Sequence, residues 1–330
     1  MLKNKENRML KELFSKNKNI IINTDIDGFL CGEILRHYFG CKIVGFSNSK
    51  KEIWVDYSVN SIYEPIYIDL YVANKDVVCI EQHIIAKNKE HHCQIAKYGT
   101  KINPNLERGR TFFGDHIGDY YHKYPFGTVH YLITLMAREG IIVDLPNLFT
   151  QVICNNVKTN FGHILMRADD ALYSTLSAYA DNANDWWNYL DPTNSILPIN
   201  LMRDFISKCD RAKAKQYKDE IGFFFKIGLN CDGADGAFNN ICDANGYLQP
   251  RVSFFWKVIT ESLGLFSKNG DSYTELPQKL ILHEGKFLKG YFRNGYDMDI
   301  LNANNLYSYA FIYGPHSKYP NFSYTLDMPD

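Results

Sequence analysis

The run Asn19-Ile20-Ile21-Ile22-Asn23 breaks at once into Asp25-Ile26-Asp27-Gly28, and apolar Leu30, Ile34, Leu35 and Tyr38 then recur at helical spacing. No other stretch constrains the fold as strongly. A short continuous apolar run reads as a strand buried on both faces, as parallel strands are when layers cover them from above and below. The sequence therefore predicts strand, acidic loop, helix. Further short apolar segments at Lys42 to Phe46, Ile66 to Leu70 and Asp76 to Ile80 extend the pattern, and together they predict an α/β chain with a doubly wound, mainly parallel sheet. Residues 6–15 read as a short amphipathic helix ahead of the first strand. Val129 to Ala137 and Asp170 to Tyr179 read as covering helices, while Asn147 to Ile153 fits either helix or strand.

At 330 residues the chain exceeds the common single-domain size. Leu190 to Pro198 holds two prolines with Asn and Ser between them, so the expected division is a sheet domain over 1–189, a linker over 190–200 and a smaller α+β domain over 201–330. Within that last part Leu201 to Phe224 reads as helical, and Leu280 to Phe287, Leu288 to Phe292 and Tyr307 to Tyr313 read as strands. A formal net charge of −1 argues against a protein that grips long duplex DNA, since binding by counterion release needs clustered Lys and Arg. A small phosphorylated ligand or a short single-stranded nucleic acid is the expected partner. The eight cysteines contain no C-x-x-C pair, which disfavours a zinc knuckle and a disulfide framework. No apolar run approaches the ~20 residues that span a bilayer, so the expectation is a cytoplasmic chain with no membrane partner, and a homodimer is left open.

Open α/β sheets bind ligands beyond the carboxyl ends of their strands, and acidic residues fall there repeatedly. Asp25 and Asp27 follow the first strand, Asp69 ends the strand around Ile66, and Glu81-Gln82-His83 follows Asp76 to Ile80. Carboxylates and an imidazole gathered in one crevice suit Mn²⁺ or Mg²⁺, one or two ions, which activate water and neutralise a displaced phosphate oxygen. In that scheme Asp25, Asp27, Asp69, Glu81 and His83 hold metal, and Asp25, Asp27 and His83 carry the chemistry. Arg108 and Arg110 are candidates to fork a phosphate, with Asn103 and Gln82 facing the substrate. Trp186-Trp187 packs a seam or stacks a base. His91-His92 reads as a solvated loop, and so more readily does Asp115-His116, with an approach to the crevice from a long loop as its lesser alternative.

These motifs resemble the DHH phosphoesterase superfamily, in its branch of single-strand-specific exonucleases. The resemblance rests on Asp25-Ile26-Asp27-Gly28 with Cys31-Gly32 at the helix start, the lone acid Asp69, a triplet after the next strand, Asn103-Pro104 and Gly127-Thr128 opening a helix. It covers residues 19 to 180 and implies a Mn²⁺-dependent phosphodiesterase or phosphatase. The chain departs from the family at two places. Gln82 stands where the triplet has its first His, giving Glu-Gln-His in place of Asp-His-His, and Asn155-Asn156 stand where a fourth acid belongs, with Asp169 and Asp170 the nearest acids. These departures frame the alternative of a catalytically degenerate protein that binds a nucleotide as sensor or scaffold. The Asp25-to-Gly28 turn also resembles the haloacid-dehalogenase-like phosphatases, in which the first Asp is a nucleophile and Asp232 to Asn240 would serve as a later acidic motif.

Overall fold

The computed structural model describes residues 9–114, 118–148, 150–168, 180–265, 276–293 and 299–330. Within them the first six strands are β1 (Asn19–Asn23), β2 (Lys42–Ser47), β3 (Glu52–Asp56), β4 (Ile66–Ile68), β5 (Cys79–Ile80) and β6 (Lys101–Ile102). A separate hairpin follows, β7 (Gln151–Cys154) with β8 (Val157–Asn160), and then β9 (Leu280–Glu284). Seven of these form one sheet in the order β6-β5-β4-β1-β2-β3-β9. The five strands from β6 to β2 are parallel, four of them those the apolar runs predict and β6 an addition, whereas β3 pairs antiparallel with both β2 and β9.

Side chains alternate across the sheet as a two-residue period requires. Ile20 and Ile22 of β1, Phe46 of β2, Ile66 and Ile68 of β4 and Ile80 of β5 face the large core. That core is closed by α2 (Ile26–Phe39), α6 (Thr128–Arg138) and α11 (Pro250–Leu263). Full burial of one such isoleucine contributes about 1.5–3 kcal/mol. The opposite face, with Ile21, Val44, Val55, Tyr67 and Cys79, packs on Tyr307 and Met328 from the chain's end. The central sheet is mixed, mostly parallel and accompanied by helices. The connections 57–65 and 69–78 contain no helix, and their Ile62, Leu70 and Val72 cover this face together with the C-terminal segment.

The helices between and after these are α1 (Met9–Lys16), α3 (Lys89–Ala96), α4 (Pro104–Glu107), α5 (Gly118–Tyr121), α7 (Phe161–Arg167), α8 (Ala180–Leu190), α9 (Leu197–Ser207) and α10 (Arg211–Phe223). The stretch 190–200 joins α8 to α9 through a fixed turn, in which buried Asp191 accepts from the amides of Ser195 and Ile196. Leu201 to Phe224 is two helices broken at Cys209-Asp210, where the Asp210 side chain caps α10. The predicted helix over Asp170 to Tyr179 lies outside the described residues.

Chain from both sides of 190–200 builds the main sheet, since β9 returns to pair with β3. Gly285 then separates β9 from β10 (Lys286–Gly290), which with β11 (Leu306–Phe311) and β12 (Phe322–Leu326) forms an antiparallel three-stranded cap in the order β10-β12-β11. Phe292, Tyr309, Phe311 and Phe322 make the cap's own cluster and seat it against Phe112, whose ring stacks on Phe311 at 4.3 Å.

Candidate functional site

Parallel strands β1, β4, β5 and β6 all end on one edge. Asp25 follows β1, Asp69 follows β4, Glu81-Gln82-His83 follows β5 and Asn103 follows β6. The chain leaves β1 toward β2 on one side and places β4, β5 and β6 on the other, so β1 and β4 flank the point where connections diverge and a crevice opens. The cap roofs it. The resulting cavity of about 230 Å³ is lined on the sheet side by Asn23, Asp25, Asp69, Tyr71 and His83, and on the cap side by Tyr307, Tyr309 and Tyr324. Ser49, Lys50 and Phe287 also border it.

The acidic turn is built from backbone economy. Asp25 caps α2, its Oδ1 accepting from the Gly28 amide at 3.1 Å. A Cβ on Gly28 would sit 2.7 Å from the backbone nitrogen of Asn23, so only glycine lets the first turn of α2 lie against the end of β1. Asp27 points the other way, into the protein. It is 1% exposed, and its two oxygens accept from the backbone amides of Thr128 (2.6 Å) and Val129 (2.8 Å) at the start of α6. Gly127 leaves room for that carboxylate, since a Cβ there would meet Asp27 Oδ2 at 2.7 Å.

Asp69 holds a left-handed backbone (φ 58°), which turns its carboxylate back toward β1. Its Oδ1 accepts from the Thr128 hydroxyl at 2.6 Å and its Oδ2 from Asn23 Nδ2 at 3.0 Å. The same Asn23 nitrogen donates to Asp25 Oδ2 at 2.7 Å. Thr24 and Ile26 are held from behind by the Asp232 to Asn240 loop, through Phe238 N to Thr24 O and Ile26 N to Asp235 O. That loop supports the turn, and its Asp232 pairs with Arg251 at 2.7 Å.

Glu81 is fully buried. One oxygen accepts from Asn103 Nδ2 and the other from the His83 amide at 2.6 Å. The His83 ring lies with Nδ1 3.5 Å from Glu81 Oε2 and Nε2 3.4 Å from the Gln82 amide nitrogen, and it borders the crevice. Gln82 is itself buried, and its backbone carbonyl accepts from Asn105 Nδ2 at 2.6 Å. Asn103 caps α4 and bonds the His83 carbonyl. The Glu-Gln-His and Asn-Pro segments thus lock two adjacent loops together.

Other expected residues lie elsewhere. Arg108 pairs with Asp185 at 2.8 Å and stacks on Trp186 and Tyr189, with Arg110 3.9 Å from the same carboxylate, so both are directed toward α8 and neither borders the crevice. Trp186 and Trp187 are buried, Trp187 stacked on Phe126 at 4.0 Å, which settles them as packing. His91 and His92 sit in the first turn of α3, half-buried, with the His92 ring bonded to the Leu106 carbonyl. Asn155 and Asn156 form the tip of the β7–β8 hairpin, both at positive φ, the conformation that two-residue hairpin turns demand. Asp115, His116, Asp169 and Asp170 lie outside the described residues.

Burial pushes the phenols of Tyr67, Tyr71, Tyr307 and Tyr309 well up, so at neutral pH they are protonated donors. Two of their contacts bridge sheet and cap, Tyr307 hydroxyl to Tyr67 hydroxyl at 2.9 Å and Tyr71 to Tyr309 at 3.3 Å. Of the residues expected to hold Mn²⁺ or Mg²⁺, Asp25, Asp69 and His83 border the crevice, whereas Asp27 and Glu81 are buried and do not line it. Among the described residues no group of three or more His, Cys, Asp or Glu side chains is arranged to hold a metal ion. Comparison with protein-family models, with curated proteins and with solved structures gives no match. Sequence reasoning missed Asn23, Thr128 as a carboxylate donor, and the cap tyrosines. The one signal for Asn23 was a polar residue closing an otherwise apolar strand.

Proposed function

We propose that the chain is a DHH-like domain that binds a small nucleotide-type ligand in the crevice beneath the cap and does not hydrolyse it through a metal pair. The DHH-like reading is supported by the order in which Asp25, Asp69, the Glu81-Gln82-His83 triplet and Asn103 follow successive parallel strands along one sheet edge. The observation that carries the binding reading is the state of Asp27 and Glu81. Their oxygens accept from Thr128, Val129, Asn103 and His83, and both side chains are buried away from the cavity.

The crevice suits recognition of a ring bearing hydroxyl groups. Asp25 and Asp69 border the crevice, and a carboxylate, with about four lone-pair sites, can accept from more than one donor; an acid beyond a strand end bonds a ribose hydroxyl in dinucleotide-binding α/β folds. Tyr71, Tyr309 and Phe287 supply aromatic faces for a base. Exposed Lys50 at the rim supplies an ammonium for a phosphate. A cavity of about 230 Å³ lies below the ~300–1,000 Å³ of drug-sized sites, which favours a single nucleotide unit over a dinucleotide.

Titration calorimetry with nucleosides and mononucleotides in EDTA tests this. Binding is expected without metal, and Tyr71→Ala is expected to weaken it by about 1–3 kcal/mol, roughly 5- to 150-fold, the usual loss of one base stack. No binding across the panel in EDTA sinks the proposal, as does turnover that appears on adding Mn²⁺.

A further inference from the structure

The two acids that border the crevice are joined by an amide. Asn23 Nδ2 donates to Asp25 Oδ2 at 2.7 Å and to Asp69 Oδ2 at 3.0 Å, so those oxygens lie no farther apart than the sum of the two bonds. The amide cannot be turned round. Its Oδ1 accepts from the Thr24 amide at 2.9 Å and from the Ser49 hydroxyl at 2.8 Å, which leaves only the nitrogen to face the carboxylates. Asn23 is 8% exposed, and its backbone is held in register against Ser47 of β2.

Two carboxylates this close repel unless positive charge stands between them. A divalent cation is one solution, and two polarised N–H bonds are another. We infer that Asn23 is the residue that makes this crevice refuse a divalent cation, its carboxamide acting as a built-in substitute for one. An ion shared by Asp25 Oδ2 and Asp69 Oδ2 at the ~2.0–2.1 Å of Mg²⁺ would need the space that Nδ2 fills. Swinging the amide aside, or presenting its oxygen, breaks the bonds from Thr24 and Ser49. The inference rests on the metal-free reading of the crevice and names the residue responsible for it.

Thermal unfolding of the full chain is measured in EDTA and in excess Mn²⁺, without nucleotide, for the wild type, Asn23→Asp and Asn23→Ser. The wild type is expected to unfold at the same temperature in both. Asn23→Asp brings a third carboxylate against the pair, so it is destabilised in EDTA and Mn²⁺ restores several degrees, by the linkage of folding to binding, with bound Mn²⁺ visible by electron paramagnetic resonance. If Asn23→Asp does not fold, Asn23→Ser leaves a gap between the two oxygens and shows the same Mn²⁺-dependent rise. A Mn²⁺ response in the wild type, or none in either variant, overturns the inference. Nucleotide binding to the wild type in EDTA is a separate readout: its failure removes the ligand reading and leaves the cation result standing.

Discussion

Removing the Thr128 hydroxyl tests how the site is held together. Thr128 binds one buried acid and one crevice acid, with its backbone amide on Asp27 and its hydroxyl 2.6 Å from Asp69 Oδ1. Thr128→Val keeps the branched shape and the backbone bond and deletes only the hydroxyl. A hydrogen bond to a charged acceptor contributes about 1.5–3 kcal/mol net, and Thr128 is fully buried, so water does not replace it. For 330 residues, an unfolding entropy of ~2.1 cal/mol/K per residue gives ~0.7 kcal/mol/K, and a loss of ~2 kcal/mol lowers the midpoint by about 3 °C. Thr128→Ser keeps the donor and is expected to cost under ~1 kcal/mol, the share of one methyl group. Denaturant unfolding of Thr128→Val, Asp69→Asn and the double variant isolates the coupling, expected at about 1.5–3 kcal/mol. Equal stability of the Val and Ser variants, or a coupling below ~0.5 kcal/mol, refutes the bond as the link between β4 and α6.

Burial holds His130 neutral, with its pKa lowered from 6.5 to about 4. The unfolded chain therefore binds the extra proton first, so stability is fully present above pH 6.5 and falls as pH drops toward 4, by on the order of 3 kcal/mol from this group; His130→Gln flattens that part of a pH–stability profile, and an unchanged slope counts against it. Gly28→Ala, which in an exposed helix gains up to ~1 kcal/mol, is expected to lose at least 1–3 kcal/mol by overpacking on Asn23, and a stabilised variant in urea melts contradicts the close approach. Arg108→Ala is expected to leave ligand affinity within about twofold while costing ~1 kcal/mol of stability, because its partners are Asp185 and Trp186; a tenfold loss in calorimetry returns Arg108 to the ligand site.

The sheet edge was legible because buried parallel strands write themselves as short apolar runs, and because the residue after each run carried a polar signal. Ile20 to Ile22, Ile66 to Ile68 and the acids beyond them needed no partner to be read. β3 and β9 were not legible as neighbours, since β9 pairs with a strand more than two hundred residues earlier, and half-exposed Ile281 and Leu282 look like any surface strand. The cap tyrosines were invisible for the same reason. What composition could not distinguish was direction: Asp25 and Asp27 are two residues apart, yet the first turn of α2 sends one to the crevice and the other to the start of α6. Arg108 misled because a cation after an Asn-Pro turn fits a phosphate and a neighbouring Asp185 equally well.

The measurement that bears most directly on the account is a single-turnover experiment with labelled nucleotide, the chain in excess over ligand, run in EDTA and in Mn²⁺. The account predicts that the nucleotide is retained, comes off intact and binds equally well in both. Mn²⁺-dependent release of a dephosphorylated or cleaved product would contradict it.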